Sequence, residues 1–287
     1  MRRTGKKGPL FGINLDNNST RIPIVIQDTV EHLMKNDNID AEGIFRISGS
    51  SIQIQELKRK YDNGKTPNLD KVSSPHIVSG LLKLFLRELP EPLLSFELYD
   101  VFVAVHSIND AQQRLDRIKK VLHEMLPIGR QALLKYLMNF LYNVSQRVEA
   151  NKMSAANLAI VFGPNILRHE KDSMEIMITE TPAVTGITFT FIEQYHFIFD
   201  SMEIPEPPKE KTKKELKKEE KLLKKQEKNE KRKKNEETNE IPQKTAPSLP
   251  KKPPQLPSRP PEINLKILSL INDIEKRNRP LPPDPIF

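Results

Sequence analysis

The sequence predicts an all-α domain over residues 10–202 followed by a largely disordered tail, and three observations carry that prediction. From about residue 10 to 202 apolar residues recur at spacings of three and four, the signature of helices with one buried face. No run of alternating apolar and polar residues reads as a strand. Beyond Pro205 the helical pattern stops, and the whole chain is only 37% hydrophobic. That is below the roughly 45–50% of globular proteins, so part of the chain is too polar to fold alone.

The first helix starts at Pro23, a residue suited to a first helical position, and runs through Ile26, Val30, Leu33 and Met34 to the polar cluster Asn36-Asp37-Asn38. Ser50 to Tyr61 forms a second helix with Ile54, Leu57 and Tyr61 on one face, closed by a turn at Asn63-Gly64. His76 to Leu89 is the clearest segment. Ile77, Val78, Leu81, Leu82, Phe85 and Leu89 make its apolar stripe, Lys83 and Arg87 stand four apart on the other side, and Pro90 and Pro92 end it.

Further helices are expected at about 96–106, 110–125, 130–149, 154–161 and 184–200, with Pro127, Asn151-Lys152 and Pro164 as breaks. Leu133, Leu137, Phe140, Leu141 and Val144 supply the core, which Phe191, Ile192, Tyr195 and Phe199 close.

The tail divides by composition. Residues 203–240 are a Lys/Glu-rich spacer in which 209–239 hold 14 Lys and Arg against 8 Glu, so most of the net charge of +8 lies there. Glu-before-Lys pairs four apart, such as Glu220 with Lys224 and Glu227 with Lys231, support an exposed helix without a core. Residues 241–261 are proline-rich and favour extended polyproline conformations. Residues 262–278 carry Ile263, Ile267, Leu270, Ile271 and Ile274 at helical spacing, and 279–287 are a second proline-rich stretch. The stripe at 263–274 either folds back on the domain, fills a partner's groove or lies on a membrane.

Several function classes are excluded. With no Cys there is no disulfide framework, thiolate nucleophile or Cys-bound zinc, and the chain suits a reducing compartment. The six His are scattered without metal-ligand spacing, and no GxSxG occurs. Asn63-Gly64-Lys65-Thr66 is not a phosphate-binding loop, because Arg59 stands where the earlier glycine is required. The N-terminus lacks the apolar run of a signal peptide, and nowhere are there 18 consecutive apolar residues. We therefore expect a cytoplasmic protein with room for membrane or cytoskeletal association. Glu interspersed among the Lys argues against nucleic acid and leaves a solvated spacer or weak contact with an anionic membrane.

One group of polar residues stands out among apolar neighbours: Arg46 in GIFRISG, Lys83 and Arg87 in LLKLFLRELPEPLL, and Asn157 and Asn165 in NLAIVFGPN. Together with FGINL at 11–15, Ile22-Pro23 and NKMS at 151–154, these segments stand in the order found in the RhoGAP domain family, which the chain resembles over about residues 10–202.

The resemblance implies that the domain accelerates GTP hydrolysis by Rho-family small GTPases and so turns off Rho- or Rac-type signalling to the actin cytoskeleton. It implies that Arg46 is an arginine finger and that Lys83 and Arg87 support the loop and the interface. Asn157 and Asn165 fall on the GTPase-facing surface; Asn157 serves equally well as a helix cap or brace, and Arg87 as a partner for backbone carbonyls near Pro90. No cofactor is implied, since GTP and magnesium belong to the partner, and the domain is an activator rather than an enzyme alone. The rival readings are a non-catalytic Rho-family-binding scaffold and an adaptor acting through its tail. For the adaptor, Pro254-Gln255-Leu256-Pro257-Ser258-Arg259 fits one orientation of a Src-homology-three ligand within Pro250–Pro261.

Overall fold

Helices begin where a side-chain oxygen can accept from otherwise unpaired first-turn N–H groups. In the computed structural model, which describes residues 8–207 apart from Asn36 and Asp172, Ser50 Oγ accepts from Gln53 N at 3.5 Å and Asp110 Oδ1 from Gln113 N at 2.8 Å. Ser74 Oγ likewise accepts from His76 N at 3.3 Å and Ser154 Oγ from Asn157 N at 3.2 Å. The readings placed on residues 208–287 lie outside the described residues.

Among the described residues the chain forms α1 (Ile24–Met34), α2 (Ser51–Asp62), α3 (Pro75–Arg87), α4 (Tyr99–His106) and α5 (Ala111–Met125), then α6 (Ile128–Ser145), α7 (Val148–Asn151), α8 (Ala155–Ile166), α9 (Met174–Glu193) and α10 (Tyr195–Phe199). Short 3-10 turns lie at Asn38–Asp40 and Leu69–Lys71, and no described residue is in a strand. The fold is all-α, as its sequence pattern predicts.

The long helix α6 presents Leu133, Leu134, Leu137, Met138, Phe140, Leu141 and Val144 to the interior, all buried. α8 and α9 pack against each other and both touch α6, while α3 is flanked by α1, α2 and α8. Phe191, Ile192, Tyr195 and Phe199 close the core as expected. This arrangement brings the C-terminal half of α3, α8 and the loop between α1 and α2 to one region.

The boundaries differ from the sequence reading at Pro164, which was taken as a break, and at the start of α9. α8 continues past Pro164 to Ile166, and α9 starts at Met174 and runs through Pro182, ten residues ahead of the expected 184. A mid-helix proline removes one hydrogen bond. The loss is offset here by burial of Phe162 and Ile166 on α8 and of Ala183, Val184, Ile187 and Phe191 on α9. The expected single helices at 130–149 and 184–200 are each broken, at Gln146–Arg147 and at Gln194.

The loop after α3 is held by a buried cation. Arg130, only 3% exposed, donates to Asn17 Oδ1 at 2.7 Å, to Pro92 O at 2.6 Å and to Leu93 O at 3.3 Å, and pairs with Glu91. Burial lowers its pKa from the ordinary arginine value, and the Glu91 carboxylate works against that shift. Arg130→Met strips a partner from the partly exposed Glu91 carboxylate and from two backbone carbonyls. We expect it to reduce unfolding free energy by about 2–4 kcal/mol, measured by urea denaturation; a loss below about 1 kcal/mol would show that the loop finds other partners.

Candidate functional site

The segment Gly43–Gly49 between α1 and α2 is a turn with backbone requirements that only certain residues meet. Gly43 has φ +68°, and a Cβ there would lie 2.7 Å from the Ile47 side chain. At its other end Gly49 sits against the start of α3, where a Cβ would lie 2.6 Å from Ile77 N. The turn is closed by Arg46 N and Ile47 N, which both donate to Gly43 O, at 2.9 and 2.8 Å.

Phe45, in the middle of this turn, has φ +69°, a left-handed conformation that is uncommon for a bulky side chain. Two contacts fix it. Its fully buried ring packs edge-on against Phe162 of α8 at 4.9 Å and Phe140 of α6 at 5.9 Å. Its carbonyl accepts a hydrogen bond from the Lys83 ammonium on α3. With residue 45 pinned inward, Arg46 is exposed, and it has no hydrogen bond or ion pair among the described residues.

A second clamp comes from Asn151 at the end of α7, which is completely buried. Its Nδ2 donates to Ile39 O at 2.9 Å and Val144 O at 2.8 Å, and its Oδ1 accepts from Met153 N at 2.8 Å. Its backbone carbonyl accepts from Gly43 N at 2.8 Å. One residue thus ties the end of α6, the 3-10 turn before the loop and the loop itself.

The five residues singled out from sequence differ in circumstance. Lys83 is not on a solvated face: it is half-buried, and burial first, then the Arg87 charge, lower its pKa from the usual ammonium range. Burial, followed by the Lys83 charge, also holds His76 below the ordinary imidazole value. Arg87 is exposed one turn beyond Lys83. The carbonyl-binding role considered for it falls instead to Arg168, whose Nη2 donates to Leu89 O at 2.5 Å and to Pro90 O at 3.4 Å. Arg87, exposed at the end of α3, makes no hydrogen bond to those carbonyls.

On α8, Asn157 braces the preceding loop by donating from Nδ2 to Lys152 O at 3.2 Å. Asn165 donates from Nδ2 to Val161 O at 2.7 Å, which leaves its Oδ1 without a partner among the described residues. Both lie on the same helix as Phe162, the residue that packs on Phe45. The structure therefore gathers the Arg46 loop, Lys83 and α8 by direct contact, and Arg87 by its place on α3. Among the described residues no group of acidic or His side chains is arranged to hold a metal ion.

Residues 23–171 match the family model of the RhoGAP domain. The chain belongs to the RhoGAP domain family. It is 39% identical over 211 residues to Rho GTPase-activating protein gacJJ of Dictyostelium discoideum, a match covering 70% of this chain and 24% of that protein. It is 34% identical over 200 residues to Rho GTPase-activating protein 8 of Mus musculus, covering 68% of this chain and 46% of that one. The chain spans about a quarter of the length of the Dictyostelium proteins it matches first. Among solved structures it is similar to human Rho GTPase activating protein 15, with TM-score 0.63 and 28% identity over 69% of this chain and 100% of that one. It is also similar to the BH domain from Graf, the GTPase regulator associated with focal adhesion kinase, with TM-score 0.56 and 25% identity over 62% and 94%.

Sequence reasoning on this RhoGAP domain missed Phe45 and Asn151, although both stand in quoted motifs. Their roles depend on a positive φ and on carbonyls 112 and 7 residues away. The only sequence signal was polar Asn151 directly after a helical run. Asn151→Ala leaves at least two buried backbone groups unpaired and is expected to cost about 2–4 kcal/mol. Asn157→Ala, at an exposed brace, should stay within about 0.5 kcal/mol. Paired thermal or chemical melts of the two variants check this, and equal losses would contradict the hub assigned to Asn151.

Proposed function

We propose that this domain is a GTPase-activating module that inserts Arg46 into the active site of a GTP-bound Rho-family small GTPase. The observation that carries the reading is that Arg46 is exposed and unpaired on a loop whose preceding residue is buried and clamped. Phosphoryl transfer to water spreads negative charge over the γ-phosphate and the leaving oxygen, and catalysis of it is mostly positioning plus electrostatic stabilisation. A guanidinium is always charged and offers planar, forked donors to those oxygens. Because Arg46 has no internal partner to leave, no ion pair must be broken when it enters the site.

Lys83 acts in this mechanism through the loop, by fixing the Phe45 carbonyl, and is a positioning residue. Arg87 and Asn165 are assigned to the GTPase interface, together with the exposed end of Asn157. GTP and magnesium are held by the partner, so the domain completes an active site rather than being an enzyme by itself. The outcome is termination of Rho- or Rac-type signalling to the actin cytoskeleton. The tail is assigned to attachment, through Src-homology-three domains on Pro250–Pro261 and weak contact with anionic membrane.

Single-turnover GTP hydrolysis by a panel of Rho- and Rac-like GTPases tests the assignment. Arginine fingers in related systems contribute about 10³–10⁵ in rate, or roughly 4–7 kcal/mol. Arg46→Ala and Arg46→Lys should each lose most of the acceleration while still binding the GTP-loaded partner. Acceleration that survives Arg46→Ala would remove the finger, and wild-type binding without acceleration would establish the scaffold reading. Removal of residues 241–287 should leave acceleration intact; its loss would favour the adaptor reading.

A further inference from the structure

The C-terminal end of α2 and the following loop enclose a recess of about 360 Å³ whose charged lining is wholly basic. Lys60, Lys65 and Lys71 line it with Thr66 and Asn68 over an apolar floor that includes buried Leu57. None of the three ammonium groups has a hydrogen bond or ion pair among the described residues.

Two neighbouring acids have partners of their own. Asp62 accepts from Leu10 N at 2.8 Å and Phe11 N at 3.0 Å, and Asp70 faces His32 Nδ1 at 3.1 Å. Three positive charges therefore line one concavity that contains no acidic residue, with the exposed Asp70 carboxylate beside Lys71 outside the lining. Helix-dipole complementarity accounts for Lys60, in the last turn of α2. It does not account for Lys65 on the loop or Lys71 in the 3-10 turn.

We propose that this recess binds a phosphorylated small molecule carrying neighbouring phosphate monoesters, the chemistry of an inositol polyphosphate headgroup. Phosphate oxygens would accept charge-assisted hydrogen bonds from the three ammoniums, with the Thr66 hydroxyl and Asn68 amide as further donors. The volume lies at the lower end of small-ligand sites, which run from about 300 to 1,000 Å³. The site is formed by residues other than those of the Arg46 loop, α3 and α8, so ligand binding and hydrolysis acceleration can be measured separately.

The test uses the full chain, soluble inositol trisphosphate by calorimetry, and sedimentation with phosphatidylcholine vesicles carrying either phosphatidylinositol bisphosphate or phosphatidylserine. The expected result is saturable binding of the phosphorylated headgroup, weakened by salt and reduced roughly tenfold or more by Lys65→Ala/Lys71→Ala. Thr66→Glu, which places a carboxylate in the recess, should reduce it similarly. Both variants should keep wild-type hydrolysis acceleration in the absence of ligand, which also shows that they fold. Tighter binding to bisphosphate vesicles than to the soluble headgroup would identify a lipid source, and the reverse a free polyphosphate. Three outcomes would overturn the proposal. These are no binding of either probe, binding unchanged in the lysine variant, or equal binding to phosphatidylserine vesicles, which would reduce the effect to net charge.

Discussion

The conformation of Phe45 is the constraint on which the candidate site depends. Holding a non-glycine residue in a sparsely populated backbone region costs about 1–3 kcal/mol. Burying a phenylalanine ring contributes about 1.5–3 kcal/mol, and edge-on aromatic pairs such as those with Phe140 and Phe162 add about 0.5–1.5 kcal/mol each. The core therefore supports the strained turn with something to spare, and the Lys83 ammonium fixes the one carbonyl that would otherwise let it rotate. The direction of Arg46 follows: the chain reverses at residue 45, so the next side chain faces solvent.

The surrounding polar interior serves the same end. Asn151 joins three separate backbone segments next to the loop. Arg130 and Arg168 donate to four carbonyls of the segment after α3, those of Leu89, Pro90, Pro92 and Leu93, where the proline pattern interrupts helical pairing. The bonds to Ile39 O, Leu89 O, Pro90 O, Pro92 O and Leu93 O are long-range, from one side chain to backbone in a connecting segment. Loops fixed in this way lose little further freedom when a partner docks, which favours preorganised charge at the moment of reaction. In the proposed mechanism the rigid elements position Arg46, and only its own side chain has to be ordered on binding.

Much of this was legible in the sequence. The period of apolar residues located most of the helices, because a buried helix face leaves a three-four spacing whatever it packs against. Arg46, Lys83, Arg87, Asn157 and Asn165 stood out as polar residues among apolar neighbours in ordered motifs. The end of α8 was misplaced at Pro164 because a local rule about a missing N–H competes with apolar burial that only the fold reveals, and the first ten residues of α9 went unread as helix. The exchange of roles between Arg87 and Arg168 was hidden for a related reason. Both are arginines near proline-rich sequence, and which one meets Leu89 O depends on where the turn after α8 lies.

In the proposed mechanism Arg46 acts on the transition state and not merely on the bound partner. The most direct measurement compares the affinity of wild-type and Arg46→Ala protein for a Rho-family GTPase loaded with GDP and aluminium fluoride, which mimics the phosphoryl group in flight, and with a non-hydrolysable GTP analogue. Differential binding of the transition state predicts that fluoride strengthens the wild-type complex and leaves the variant complex unchanged, while the GTP-analogue complexes stay close in affinity. Equal strengthening by fluoride in both proteins would contradict the account.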